Sequence, residues 1–137
     1  MTQVLLALID RLEGEHREVR AALAVLGDLG EAGDAAGLRA ALPGYASVLG
    51  PGLDEHSRAE DSTLFPAVHE VVGRGVVEAF TVEHGEILAW RDALYEARAD
   101  VERLSAVLEL RELLESHLQR EEALLFPSIR DALGSTA

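Results

Sequence analysis

The sequence predicts an all-α protein, an antiparallel up-down-up-down four-helix bundle built from a duplicated helical hairpin. Two repeats and one periodicity carry that expectation. The segment His56–Pro66, His-Ser-Arg-Ala-Glu-Asp-Ser-Thr-Leu-Phe-Pro, returns in the second half as His117–Pro127, His-Leu-Gln-Arg-Glu-Glu-Ala-Leu-Leu-Phe-Pro. A shorter run, Glu15-His16-Arg17-Glu18, is matched in the same way by Glu83-His84-Gly85-Glu86. Apolar residues recur at steps of three and four around both, as on one face of a helix. The chain therefore reads as two copies of one unit: a helix with a central histidine, then a helix with His-x3-Glu. Duplicated hairpins of this kind make four-helix bundles. One domain over residues 1–137 is expected, with hairpins at 2–72 and 76–133.

Helix one is expected over about residues 2–29, with the stripe Leu5, Leu8, Leu12, His16, Val19, Leu23, Leu26 placing His16 at a core position. Glycines 27, 30, 33 and 37 mark a connection, with a short helical turn over Asp34–Leu42. The start of helix two follows from spacing. The interval from His16 to His56 is longer than that from His84 to His117, so the surplus in the first half belongs to the connection. Helix two then starts near Pro43, a good first helical residue, bends without breaking at Pro51, and turns Leu49, Leu53, His56, Glu60 and Leu64 inward. Gly73-Arg74-Gly75 reverses the chain. Helix three is expected over 76–98 with the stripe Val77, Phe80, His84, Ile87, Arg91, Leu94. Helix four is expected over 101–126 with Val107, Leu110, Leu114, His117, Glu121 and Leu124. Pro66 and Pro127 should close or kink their helices. A short helical piece follows Pro127, and the final Gly-Ser-Thr-Ala is expected to be a loose tail.

A chain of 137 residues suits one domain with a sizeable core. Apolar residues at 48% argue against disorder, and aromatics at 4% favour helix over sheet. A net charge of −13 argues against a nucleic-acid or anionic-membrane surface and suits a protein that attracts cations. With no cysteine, disulfides, thiolate catalysis and cysteine-ligated zinc or iron–sulfur sites are excluded. The first residues lack a basic region and a cleavage site, and no apolar run reaches membrane-spanning length, so a cytoplasmic protein is expected.

Residues i and i+4 share one helix face, so His56 with Glu60, and His117 with Glu121, each offer an imidazole and a carboxylate to one point. With His16 and His84 this makes six polar groups at one level of an apolar interior. Burying them unpaired would cost several kcal/mol each, so the cluster needs a charge to hold it. Four imidazoles and two carboxylates without sulfur suit iron, manganese or zinc. Two carboxylates among four histidines suit a pair of ions bridged by Glu60 and Glu121. A metal-free His–Glu network is the alternative.

The order His, His-x3-Glu, His, His-x3-Glu, with its two Leu-Phe-Pro endings, resembles the hemerythrin family of HHE cation-binding domains over roughly residues 2–133. The resemblance implies two iron ions in an oxo- or hydroxo-bridged non-haem centre. It places His16 and His56 on one ion, His84 and His117 on the other, and no catalytic residue beyond these ligands. Respiratory hemerythrins carry an HxxxH pair on the third helix and five histidines in the site; here Phe80 and Leu88 stand one turn either side of His84. The four-histidine, two-glutamate pattern is similar to a subset associated with peroxide and nitric oxide chemistry. The expected function is thus a peroxidase-like di-iron oxidoreductase, acting on hydrogen peroxide, nitric oxide or dioxygen. The alternatives are reversible dioxygen binding or iron and oxygen sensing, and last a metal-free structural bundle. Small molecules are the expected partners, with no nucleic acid or membrane, and the chain is expected to be a monomer or weak homodimer.

Other residues are assigned by position. His69 lies about 13 Å along the helix from Glu60 and is placed on the surface. Asp61 and Glu122 point about 100° from the glutamates they follow and are read as solvated. Glu15, Glu83 and Glu86 are read the same way. Because these acids recur in both copies, support of the site from just outside it is their alternative role. Tyr45, Tyr95 and Trp90 are assigned to packing, with a closer approach of Tyr45 to the site requiring the bend in helix two. Phe65, Phe80, Phe126 and Leu88 are expected to form a dry wall around the site.

Overall fold

The computed structural model describes residues 1–134, and among them the chain is all-helical with no strand. The expected tail beyond Gly134 lies outside the described residues. Helix α1 runs over Thr2–Glu31 and buries Leu5, Leu8, Leu12, His16, Val19, Leu23 and Leu26 on one side, the stripe its sequence predicts. It ends close against a later helix: a Cβ on Gly30 would come within 2.5 Å of Val107 Cγ1, so only glycine fits. The short α2, Ala35–Ala41, is capped by Asp34, whose carboxylate accepts the Gly37 N–H at 2.9 Å.

From Leu42 to Val72 the backbone stays helical while its pitch changes. A 3₁₀ turn (Leu42–Tyr45) carries Pro43, and a π turn (Val48–Gly52) contains Pro51. Helix α3 (Leu53–Ala59), a second π turn (Glu60–Leu64) and α4 (Phe65–Val72) follow. Pro51 therefore interrupts nothing. Arg91, the one charged residue of its stripe, donates to the Leu49 and Gly50 carbonyls of that turn at 2.9 and 3.2 Å and pairs with Asp54 at 3.0 Å. Gly73, at φ 104°, makes the reversal. Helix α5 (Arg74–Glu96) and α6 (Asp100–Arg120) are joined by a turn that Arg103 ties down, donating to the Ala97 carbonyl at 2.6 Å. A third π turn, Glu121–Leu125, leads into α7, Phe126–Gly134.

Of the expectation that Pro66 and Pro127 close or kink their helices, closure is corrected. Each follows a π turn, and the helix continues past it. Proline lacks an N–H and its ring crowds the carbonyl four residues back; a wide turn with one extra residue relieves both demands. That residue also shifts the register beyond the turn. Leu124, placed inward by α-helical spacing, is 63% exposed, and Leu125 is buried in its stead. In the first copy Leu64 occupies the buried position, as expected.

The apolar interior forms two clusters. One gathers Val19, Leu23, Leu26, Leu53, Ile87, Leu110 and Leu114. The other gathers Leu8, Leu12, Leu64, Phe65, Phe80, Leu125 and Phe126. Along every long helical run a buried polar residue separates them: His16, His56 with Glu60, His84, and His117 with Glu121. No helix among the described residues is long and apolar enough to cross a membrane.

The π-turn register gives a direct stability test. Leu125→Ala is expected to cost about 2–5 kcal/mol in urea unfolding, and Leu124→Ala to stay within about 0.5 kcal/mol. Equal effects would mean the turn does not hold this register in solution.

Candidate metal centre

All six polar groups singled out in the sequence meet in the layer between the two clusters. Donor atoms of Glu60, His84, His117 and Glu121 lie within 4.8 Å of one another, and so do those of His16, His56 and Glu121. Glu121 is thus common to both groups. Glu60 falls in the first, although its Oε1 is also 3.4 Å from His56 Nε2. The π turns begin at Glu60 and Glu121 themselves, so each glutamate keeps the α-helical i+4 relation to its histidine while the chain beyond it widens.

Each imidazole turns Nε2 inward and Nδ1 outward, and every Nδ1 meets a carboxylate from a neighbouring helix. The pairs are His16–Glu122 at 2.7 Å, His56–Glu15 at 2.9 Å, His84–Asp61 at 2.9 Å and His117–Glu83 at 2.7 Å. The contacts form a closed ring. The acid of the first long helical run holds the histidine of the second, the second holds the third, the third the fourth, and the fourth returns to the first. The solvated reading of Asp61, Glu122, Glu15 and Glu83 is therefore corrected, while Glu86 is exposed as expected. An Nδ1–H donated to a carboxylate fixes the tautomer and leaves the Nε2 lone pair pointing into the layer.

With every imidazole neutral the inward side is a set of acceptors facing acceptors, and a proton on His84 Nε2 turns its contact with Glu60 into a hydrogen bond. Nε2 to carboxylate oxygen distances are 3.1 Å for His16–Glu121, 3.0 Å for His84–Glu60 and 3.6 Å for His117–Glu121. Among the described residues, the Nε2 atoms of His16, His56 and His117, Glu60 Oε2 and both Glu121 oxygens are buried without a hydrogen-bond partner. Lone pairs opposed at this range need positive charge between them. Two donors each about 2.1 Å from one ion at right angles lie about 3 Å apart, so the spacing fits a shared cation.

Protonation alone meets that need unevenly. Burial, reinforced by the Glu60 charge, pushes the Glu121 carboxyl well above the usual range. Burial opposes ionisation of Glu60 as well, but Glu121, His56 and His84 around it hold it well below its ordinary value. His117 is pushed down to about 4 by burial against the pull of Glu83, and His16 is lowered by burial too. For His56, burial is outweighed by Glu121 and Glu60, which raise it to about 10; for His84, Asp61 and Glu60 outweigh burial and raise it to about 9. Protons and a cation would compete for the same atoms.

Aromatic rings close one side. Phe126 stacks on His16 at 5.6 Å, Phe65 on His84 at 6.0 Å, and Phe80 meets His117 edge-on at 5.2 Å. The two Leu-Phe-Pro endings thus place a phenylalanine on the histidine of the following helical run. Leu88, expected in this wall, packs instead against the cluster that contains Leu114. On the other side Val19, Leu53, Ile87, Leu114 and Leu118 border a cavity of about 10 Å³ that all four histidines line, room for about one water-sized molecule.

The remaining assignments divide. His69 is half-buried, bonded to the Pro66 carbonyl and Glu70, and away from the layer. Tyr45 packs against the apolar cluster, as does Tyr95, whose hydroxyl donates to the Leu42 carbonyl at 2.9 Å. Trp90, assigned to packing, is 37% exposed.

An all-helical chain with four buried imidazoles and two buried carboxylates converging on one layer is a cation-binding helical protein. The chain belongs to the hemerythrin family: the family model for the hemerythrin HHE cation-binding domain matches residues 7–129. No curated protein and no solved structure matches it.

Because Glu121 serves both donor groups, Glu121→Ala is expected to weaken cation retention more than Glu60→Ala, and His69→Ala to leave it unchanged. Elemental analysis of desalted protein after metal loading measures this. A larger loss in Glu60→Ala would reverse the ranking.

Proposed function

We propose that the chain is a non-haem di-iron protein of the hemerythrin family whose centre reacts with small oxidants, in the manner of a peroxidase. The observation that carries this is the inward donor set: four nitrogen and two carboxylate donors for two ions, with Phe80 and Leu88 where a fifth histidine would stand. On this reading His16 and His56 bind one ion, His84 and His117 the other, and Glu60 and Glu121 join them. We read residues 1–137 as one domain and the packing of α1 on α6, α5 on α6, and α3 on α5 as an up-down-up-down bundle. Its two hairpins span 2–72 and 76–133.

A bound iron pair supplies one-electron redox steps and open coordination positions for a small ligand. The chain supplies the rest. Glu60 and Glu121 would hold the ions from the middle of the layer, Glu121 from both donor groups. The carboxylates on Nδ1 hold each imidazole in the orientation and tautomer that binding needs. Phe65, Phe80 and Phe126 exclude water from one side. The small cavity at the four histidines leaves little room beside the centre, which favours a ligand of very few atoms such as hydrogen peroxide, nitric oxide or dioxygen. With Phe80 and Leu88 where a fifth histidine would stand, the chain would hold the ions through four imidazoles and two carboxylates only, and this smaller donor set favours turnover over reversible carriage. A cytoplasmic setting agrees with the use of peroxide and nitric oxide as substrates.

Two outcomes are expected. Chelation of the iron leaves six donors unsatisfied, at about 1–3 kcal/mol each, and should lower the melting temperature by many degrees; an unchanged melting curve would contradict a metal-dependent core. The iron-loaded protein should also consume hydrogen peroxide, alone or with nitric oxide, over repeated cycles, and His16→Ala or His84→Ala should abolish this. An oxygenated form that persists, reverses under vacuum and shows no peroxide turnover would instead establish a carrier or sensor.

A further inference from the structure

The ring of acids around the four histidines is not uniform, and the difference follows two arginines. Arg20 Nη1 donates to both Glu122 oxygens at 2.8 and 2.7 Å. Arg120 grips Glu83 with two nitrogens, Nη2 to Oε1 and Nη1 to Oε2, both at 2.8 Å, and its guanidinium lies 5.6 Å over the Phe80 ring. Among the described residues the other two acids lack such a grip. Glu15 has the exposed Arg11 at 3.6 Å, and Asp61 accepts from the Thr81 hydroxyl at 3.0 Å. Duplication did not produce the clamps. The equivalent of Arg20 in the second copy is Leu88, and the equivalent of Arg120 in the first is Ala59.

We propose that Arg20 and Arg120 are positioning residues that give each ion one rigidly held histidine and one that yields. His16, through Glu122, and His117, through Glu83, are the held pair, one in each donor group. A carboxylate paired to a guanidinium is fixed in place by a planar, charge-assisted contact. Part of its negative charge is also drawn away from the imidazole proton, so its histidine donates less electron density than one whose carboxylate has no guanidinium at hydrogen-bond range. His56 and His84, backed by Glu15 and Asp61, remain the stronger and more mobile donors. The proposal rests on the two-ion reading above.

The test compares Arg20→Gln, Arg120→Gln, their lysine counterparts, and Arg58→Gln as an exposed charge control, all loaded with iron(II). Release to a colorimetric iron(II) chelator is followed with time, together with the midpoint potential and the melting curve. In each glutamine variant one of the two ions should leave about 10- to 100-fold faster while the other keeps its parent rate. The midpoint potential should fall, and at Arg120, where lysine restores the charge without the two-nitrogen fork, lysine should recover the potential but not the release rate. Parent release rates and an unchanged potential in both folded glutamine variants would overturn the proposal. Equal acceleration of both ions with a lowered melting temperature would overturn it as well, since that marks general loosening. A parent protein that takes up no iron would overturn the two-ion reading, and this proposal with it.

Discussion

A buried layer of six acceptors, set between two apolar clusters, is the constraint to which the rest of the molecule answers. Four imidazoles and two carboxylates occupy space that leucine or phenylalanine would fill at no electrostatic cost, and carboxylates are almost never buried without partners. The molecule meets this from two directions. Outside the layer, a carboxylate on every Nδ1 satisfies the imidazole proton. Inside it, the Nε2 and carboxylate lone pairs converge, so positive charge is demanded at one place only. An excess of acids over the whole chain, −13 in net charge, keeps the surrounding field favourable to a cation.

Most of this layer is legible in the sequence, because it depends on α-helical spacing up to Glu60 and Glu121. His56 with Glu60, and His117 with Glu121, lie within α-helical geometry, and His16 and His84 sit within regular stripes. Beyond the glutamates legibility is partial: Leu64, Phe65 and Phe126 fall where expected, while Leu124 does not. The Leu-Phe-Pro endings announce that something must change near the proline, but not whether the chain breaks, kinks or inserts a residue. A step of three from Glu121 misplaces Leu124 where a step of four, as from Glu60 to Leu64, meets the buried Leu125, and Leu88 and Trp90 show that a residue beside a stripe can face elsewhere.

The acids on Nδ1 are visible as a repeat, yet their position on single helices suggests solvent. A side chain about 100° around a helix from an inward residue does not face water when a neighbouring helix stands on that side. Asp61 and Glu122 each reach the histidine of the next run, and Glu15 and Glu83 do the same. The signal is their recurrence at fixed offsets beside both kinds of inward residue. Reading it as a contact requires knowing which helices are adjacent, and the stripes of single helices do not carry that information. The two arginines lie further still from legibility, since neither repeats.

The closed ring has an internal two-fold pattern. Two of its four links stay within a hairpin, Glu15 to His56 and Glu83 to His117, and two cross between hairpins, Asp61 to His84 and Glu122 to His16. A hairpin alone would leave one acid and one histidine unpaired at its edges. Two identical hairpins meeting about a two-fold axis would each supply what the other lacks, because an isologous contact presents the same surfaces to itself. In one polypeptide the two halves need not match, and Arg20 and Arg120, without counterparts in the other copy, are positions where they depart from that symmetry.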